Sequence, residues 1–309
     1  MRNFKNLMDF TTFFKTEEKC HKYLKSILWQ EGKYCPFCGA DKIHEYESNF
    51  KKNRCYSCKQ DFSIRKGTIF DSSRISLQKW FMCIYLVNSN KKGISSCQLA
   101  NQVGITQKSA WFVLQRIREA CQSNDFTNPF NGITEIDEAY LGGKEENRHA
   151  KDKRLTGRKE KAVIIGLVNR DTKQVKALKV VSSEAEYLLP KIYMNVADNS
   201  TIITDTLQAY KPLKKHYTHK TVKHSMGEYV KNDSRVAFKI HTNTIEGFWG
   251  ELKRGIKGIY HWASHKHIQK YCNEFAYRYN NREMKNNERF VDFLSGVANT
   301  KLTYKTLTA

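Results

Sequence analysis

Three acids beyond residue 130 could together hold divalent metal. Glu246 sits in residues 241–253, HTNTIEGFWGELK, among aromatics at the start of an expected helix. Asp137 lies in residues 132–143, GITEIDEAYLGG, whose alternation reads as a strand with Glu135 and Asp137 on one face and Ile136 and Glu138 on the other. Asp205 follows directly on a short apolar strand, Thr201-Ile-Ile-Thr. Attack on a phosphodiester puts charge on both the entering and the leaving oxygen, and two Mg²⁺ (or Mn²⁺) ions held roughly 3.5–4 Å apart stabilise both. Such hard cations take oxygen ligands and keep several waters, so a few carboxylates suffice. The expected assignment is Asp137 as bridging ligand, with Asp205 and Glu246 each holding one ion. Each acid also has a plainer reading. Glu135, Asp137 and Glu138 could be a solvated strand edge, Asp205 the N-cap of a following helix, and Glu246 part of a capping box with Asn243. Against a surface role for Glu246, its i+3 and i+4 neighbours are Trp249 and Gly250, which offer no cation.

A second chemistry is written in the cysteines. Cys35-Pro36-Phe37-Cys38 and Cys55-Tyr56-Ser57-Cys58 are separated by sixteen residues, the spacing of a four-cysteine zinc ribbon. Each knuckle turns tightly enough to aim two thiolates at one tetrahedral ion. Cys20, Cys83, Cys97, Cys121 and Cys272 lack ligand spacing and are expected in cores.

The chain has 309 residues, with 53 Lys and Arg against 31 Asp and Glu and a formal net charge of +22. That bias points to a polyanionic partner. The longest apolar runs, residues 81–87 and 162–168, fall far short of the ~20 residues a spanning helix requires. The N-terminus shows no signal-peptide pattern. The expectation is a cytoplasmic protein with no membrane association, where cysteines bind metal or are buried rather than pair as disulfides.

The elements that must position these residues follow from periodicity. Residues 1–30 read as two packing helices, the second capped by Thr16, and residues 31–70 as the ribbon. Residues 76–87 form an apolar helix. Residues 93–111 then read as a short helix capped by Ser95, a turn at Gly104 and a second helix capped by Thr106, which is helix-turn-helix grammar. Gln107, Lys108 and Gln115 are expected to face outward, toward a major groove; an αα-hairpin without a DNA role is the alternative. Residues 71–124 thus make a DNA-binding region, and the polar residues 125–131 a linker.

From residue 131 to 290 the expected order is strand, strand, strand, helix, strand, helix, strand, helix. The last of those strands is placed at residues 221–224. Residues 144–161, with eight Lys or Arg against four acids, form a basic loop after the first strand. This is the order of an α/β, ribonuclease-H-like domain with a mixed sheet and flanking helices, in which Asp137 and Asp205 lie on neighbouring strands. Lys253, Arg254, Lys257, Tyr260, His261, His265 and His267 form a basic and aromatic run suited to phosphate and base contacts. Residues 291–309 carry no readable signal.

Together the ribbon, EIDEAYLGGK, TDTLQAY, HTNTIEGFWGELKRGIKGIYH and YCNEFAYRYNNR resemble insertion-sequence transposases of the bacterial ISXO-two-like family, with an N-terminal zinc ribbon and a DDE-type catalytic domain. The likeness runs from about residue 20 to residue 290. It implies hydrolysis of a strand at the element's end and attack of the freed 3′-hydroxyl on target DNA. Its partners would be terminal inverted repeats and target DNA, bound by a homo-oligomer in the cytoplasm, at the nucleoid. Asp137, Asp205 and Glu246 match the motif acids, with Asn243 a rival or accessory third ligand. Two other readings stay open: a non-catalytic DNA-binding regulator using the ribbon and helix-turn-helix, and a junction or RNA nuclease on the same fold.

Overall fold

The computed structural model describes residues 4–122, 128–142, 161–223, 226–234 and 236–308. Two compact units emerge: residues 1–123 with 283–309, and residues 124–282. The basic stretch 144–160 and residues 125–127 of the proposed linker lie outside the described residues.

In the first unit, α1 (Leu7–Phe13) and α2 (Glu17–Leu28) begin at side-chain caps, Asn6 and Thr16. They build an aromatic core in which Phe10 and Phe14 meet Phe290, with ring centroids 5.2 and 5.6 Å apart. A three-stranded antiparallel sheet follows: β1 (Ile43–Glu45), β2 (Asn53–Cys55) and β3 (Asp61–Phe62). Next come α3 (Leu77–Ser89), α4 (Ser96–Val103) and α5 (Gln107–Ala120). Ser95 and Thr106 each accept an amide at the start of α4 and α5, as the sequence signalled. Between these helices Gly104 adopts φ 66°, the left-handed conformation that a helix-ending glycine takes without strain. The unit is completed by the last two helices of the chain's described residues, α9 (Asn286–Ser295) and α10 (Tyr304–Thr308). Buried Arg116 fastens the chain's end to its middle, donating to the carbonyls of Leu302, Ile69 and Asp71.

The second unit is built on a five-stranded mixed sheet, ordered β6-β5-β4-β7-β8. Its strands are β4 (Ile133–Leu141), β5 (Ala162–Asn169), β6 (Val175–Val180), β7 (Thr201–Thr204) and β8 (Thr218–Thr221). β4, β5 and β6 form an antiparallel meander, while β7 and β8 run parallel to β4. The last strand therefore starts three residues earlier than the expected residues 221–224. Its register against β7, Thr201 opposite Thr218 and Thr204 opposite Thr221, sets that position, whereas the more apolar Val222 lies just past its end, buried with Ile203 and Ile240.

Both faces of this sheet are covered. On one, α6 (Ala185–Asn195) and a 3₁₀ helix (Gln208–Lys215) pack on Ile136, Ile165 and Leu167. On the other, α7 (Asn243–Gly255) and α8 (Ile268–Asn280) pack on Ala139, Ile164 and Val168. Gly166, in the middle of β5, is where α7 comes closest: a Cβ there would lie 2.4 Å from the Trp249 ring and 2.7 Å from Ile245. A bare backbone at that position lets the helix sit directly on the strand.

Candidate functional site

The four ribbon sulfurs are brought together as the spacing demands. Cys35 Sγ lies 3.7 Å from Cys58 Sγ, and Cys38 Sγ lies 3.7 Å from Cys55 Sγ. All four fall within 4.8 Å of one another. A tetrahedral Zn–S bond of about 2.3 Å gives sulfur–sulfur edges of about 3.8 Å, so the cage fits zinc. The two knuckles are local copies. Cys35 N–H donates to the Ala40 carbonyl and Cys55 N–H to the Gln60 carbonyl, at 2.9 and 3.0 Å. The residue after each second cysteine, Gly39 and Lys59, has φ of 75° and 59°. All nine cysteines are unbridged.

The acids cluster on the α7 side of the sheet. Parallel pairing sets Ile133 opposite Thr201 and Glu135 opposite Ile203; Asp137 lies two residues beyond the last pair on β4, and Asp205 two residues beyond it on the other side, just past the end of β7. Asp137 is held by the Trp249 indole, which donates to its Oδ2 at 3.0 Å. Burial pushes the Asp137 carboxyl up to about 6, and the negative charges of Asp205 and Glu246 push the same way. Asp205 also turns the chain, its Oδ1 accepting the Leu207 amide at 2.9 Å. Glu246 is exposed in the first turn of α7, accepting from the Thr242 hydroxyl at 3.1 Å. Asn243, also exposed, is the first residue inside that helix, and Thr242 rather than Asn243 occupies the cap position. Among the described residues the four cysteines are the one group of three or more such side chains gathered closely enough to share a metal ion. Carboxylates whose negative charge raises the proton affinity of Asp137 are hard oxygen donors of the kind that suits a divalent cation.

Residues 129–280 match the family described as the ISXO2-like transposase domain, and residues 15–61 match the transposase zinc-ribbon domain. The chain belongs to the ISXO2-like transposases. A protein of Halobacterium salinarum, described as an uncharacterized protein in transposable element ISH50, is 27% identical over 248 residues, covering 75% of this chain and 81% of that one. Both the transposase domain and the ribbon imply a DNA partner. No helix among the described residues is long and apolar enough to cross a membrane.

In this transposase the surface cations divide by element. Lys253, Arg254 and Lys257 are exposed on and just beyond α7, which continues into a π-helical turn, Ile256–Tyr260. His261 follows, exposed, at φ 60°, a conformation that costs a non-glycine residue strain. Gln107 and Lys108 are exposed at the start of α5, where Gln107 donates to Ser96 Oγ and Lys108 lies over the Tyr304 ring. Gln115, expected to face outward with them, is buried at 1% exposure. It lies eight residues along from Gln107, and the arc buried on α5 is wider than the apolar stripe, since Arg116 and Arg118 are buried too.

Several residues at the transposase site were assigned no role by the sequence. Glu135, open to a strand-edge reading, is fully buried and bonded to Arg170 and to the amides of α7. Glu138, on the opposite face from Asp137, accepts the Tyr210 hydroxyl at 2.6 Å and is pushed by burial up to about 7. Position in an alternating strand could have marked Glu135, which shares a face with Asp137. The partners on β5–β6 and α7 are remote in sequence and had no such cue.

Proposed function

We propose that the second unit is a ribonuclease-H-like DDE catalytic domain that cuts the ends of an insertion element and joins the freed 3′-hydroxyls to target DNA. Asp137, Asp205 and Glu246 are its metal-holding residues, with Asn243 beside Glu246 as an accessory ligand. The observation that supports this reading is that Asp205, just past the end of the strand paired with β4, and Glu246 both lie close enough to Asp137 to add to the negative charge it feels. Two Mg²⁺ or Mn²⁺ ions about 3.5–4 Å apart would supply stabilisation of charge on the entering and leaving oxygens. Asp137 would face both, Asp205 and Glu246 one each. The Trp249 indole fixes the rotamer of Asp137 by bonding one of its oxygens. In the first step water hydrolyses the phosphodiester and leaves a 3′-hydroxyl; in the second that hydroxyl displaces a 3′-oxygen from a target phosphodiester. Lys253, Arg254, Lys257 and His261 would hold the phosphate backbone beside the acids.

The first unit would bind the terminal inverted repeats through a zinc-held ribbon and a helix-turn-helix formed by α4 and α5, with Gln107 and Lys108 entering the major groove. The net charge of +22 supports this. Two element ends must be handled together, which calls for a homo-oligomer on DNA in the cytoplasm.

The test is nicking and joining of a terminal-repeat duplex by purified protein in Mg²⁺, alongside Asp137→Ala and Asp205→Ala. Loss of both steps in both variants, with DNA binding retained, is the expected result. Equal activity in the variants would overturn the assignment. Binding without metal-dependent turnover in any sample would leave a DNA-binding regulator.

A further inference from the structure

Glu135 is a carboxylate with 0% exposure in a strand where an apolar residue would fill the same space. Burying such a charge is costly unless its oxygens are fully bonded. Here they are. Oε1 accepts Arg170 Nε at 2.7 Å and Thr244 Oγ1 at 2.8 Å; Oε2 accepts the Thr244 and Ile245 amides at 2.9 and 3.1 Å. Those amides are two of the unpaired donors at the start of α7, so a residue of β4 caps this helix from outside it. The cap of α7, Thr242, makes no side-chain cap bond of its own.

Arg170 extends the same knot. Beyond Glu135 it donates to the Lys239 carbonyl at 2.7 Å, the His241 carbonyl at 2.8 Å and His241 Nδ1 at 3.0 Å. It therefore fixes the segment leading into α7 from the turn after β5. Glu135 stands two residues before Asp137 on the same face of β4, and the two amides it holds lie between Asn243 and Glu246. One ion pair, its carboxylate fully buried and its guanidinium partly so, thus joins the strand of the first acid to the turn that carries the third.

We propose that Glu135, held by Arg170, is a positioning residue that sets the axial placement of α7 against β4 and so fixes Asn243 and Glu246 relative to Asp137. The inference rests on the metal-site reading above. A helix moves as a unit, so slippage at Thr244 is passed to Glu246 half a turn later. Displacements near 1 Å are enough to cost about a hundredfold where groups must meet reacting atoms.

The experiment uses the full chain and Mn²⁺ as probe. Glu135→Gln keeps the side chain's shape but replaces an acceptor oxygen by a donor facing the helix amides. In this variant, Mn²⁺ affinity, read by the paramagnetic signal of the free ion, should fall tenfold or more, as when groups that orient metal ligands are lost. Hydrogen exchange at Thr244 and Ile245 should quicken while that of β5 stays unchanged. Thr244→Val, which removes only the hydroxyl donor, should lower Mn²⁺ affinity by a smaller factor and serves if Glu135→Gln does not fold. Faster α7 exchange with Mn²⁺ affinity within twofold of wild type would reduce Glu135 to a structural role and overturn the proposal. Unchanged α7 exchange would overturn it too. If wild type and Asp137→Ala bind Mn²⁺ equally, the metal-site reading itself fails, whatever the exchange shows.

Discussion

At the scale of single residues, burial raises the Asp137 and Glu138 carboxyls, so the fold bears a cost for each charge it keeps there. A carboxyl whose folded value is raised binds its proton more tightly in the fold than in the unfolded chain. Stability from such a group is therefore highest at low pH and declines as pH climbs from its ordinary value of 3.8 to the folded value of about 6. Asp137→Asn, which has no charge to bury, should unfold at a higher temperature than metal-free wild type. The gap should be near zero at pH 4, widen up to about pH 6 and then level off; calorimetry of the two proteins at matched pH checks this. The same variant should be inactive, separating the cost of the acid from its use. The sequence pointed to Asp137, Asp205 and Glu246 because short polar motifs name residue types directly. Glu135 and Arg170 were less legible, since their meaning comes from bonds spanning 35 and 109 residues. An alternating pattern places Glu135 on a face but says nothing of what covers it.

At the scale of elements, caps and turns were the most readable features, because their chemistry is local. Thr16, Ser95 and Thr106 each accept the amide that the sequence assigned to them. Strand position at the sheet edge was less so. β8 carries no alternating apolar pattern, and its place follows from pairing with β7 rather than from its own residues. Gly166 and Gly255 show the same dependence on distant partners. A Cβ at Gly255 would lie 2.0 Å from the Phe275 ring, where α7 meets α8. Gly166→Ala should destabilise the second unit by about 1–3 kcal/mol, as overpacking of a filled core does. The reading is a lower midpoint in urea at unchanged slope. Catalytic activity should drop further than stability alone explains, because the Trp249 ring that must yield also bonds Asp137.

At the scale of the whole molecule, charge and metal make two further predictions. Purified protein should carry one zinc per chain. Stripping it with a strong chelator should melt the ribbon and weaken binding to the terminal repeat while leaving the sheet of the second unit folded, as circular dichroism and footprinting can show. Binding should also weaken linearly on a log–log plot against salt, with a slope near −0.9 per phosphate neutralised. The order of a zinc ribbon followed by a transposase domain was readable from the motifs. The closure of the first unit was not, because residues 283–309 carry no motif and join that unit through packing and hydrogen bonds to residues remote in sequence. Phe290 sits among Phe4, Phe10, Phe14 and Phe81, and Arg116 reaches the Leu302 carbonyl. A ribosome therefore releases the aromatic rings of α1 and α3 long before the ring that completes their cluster. At about 5–20 residues per second, that interval is on the order of ten seconds or more. A message cut short near its end would yield a chain holding every candidate metal acid but no finished front unit, so a truncated copy of the gene would be silenced at the step of DNA recognition rather than of chemistry.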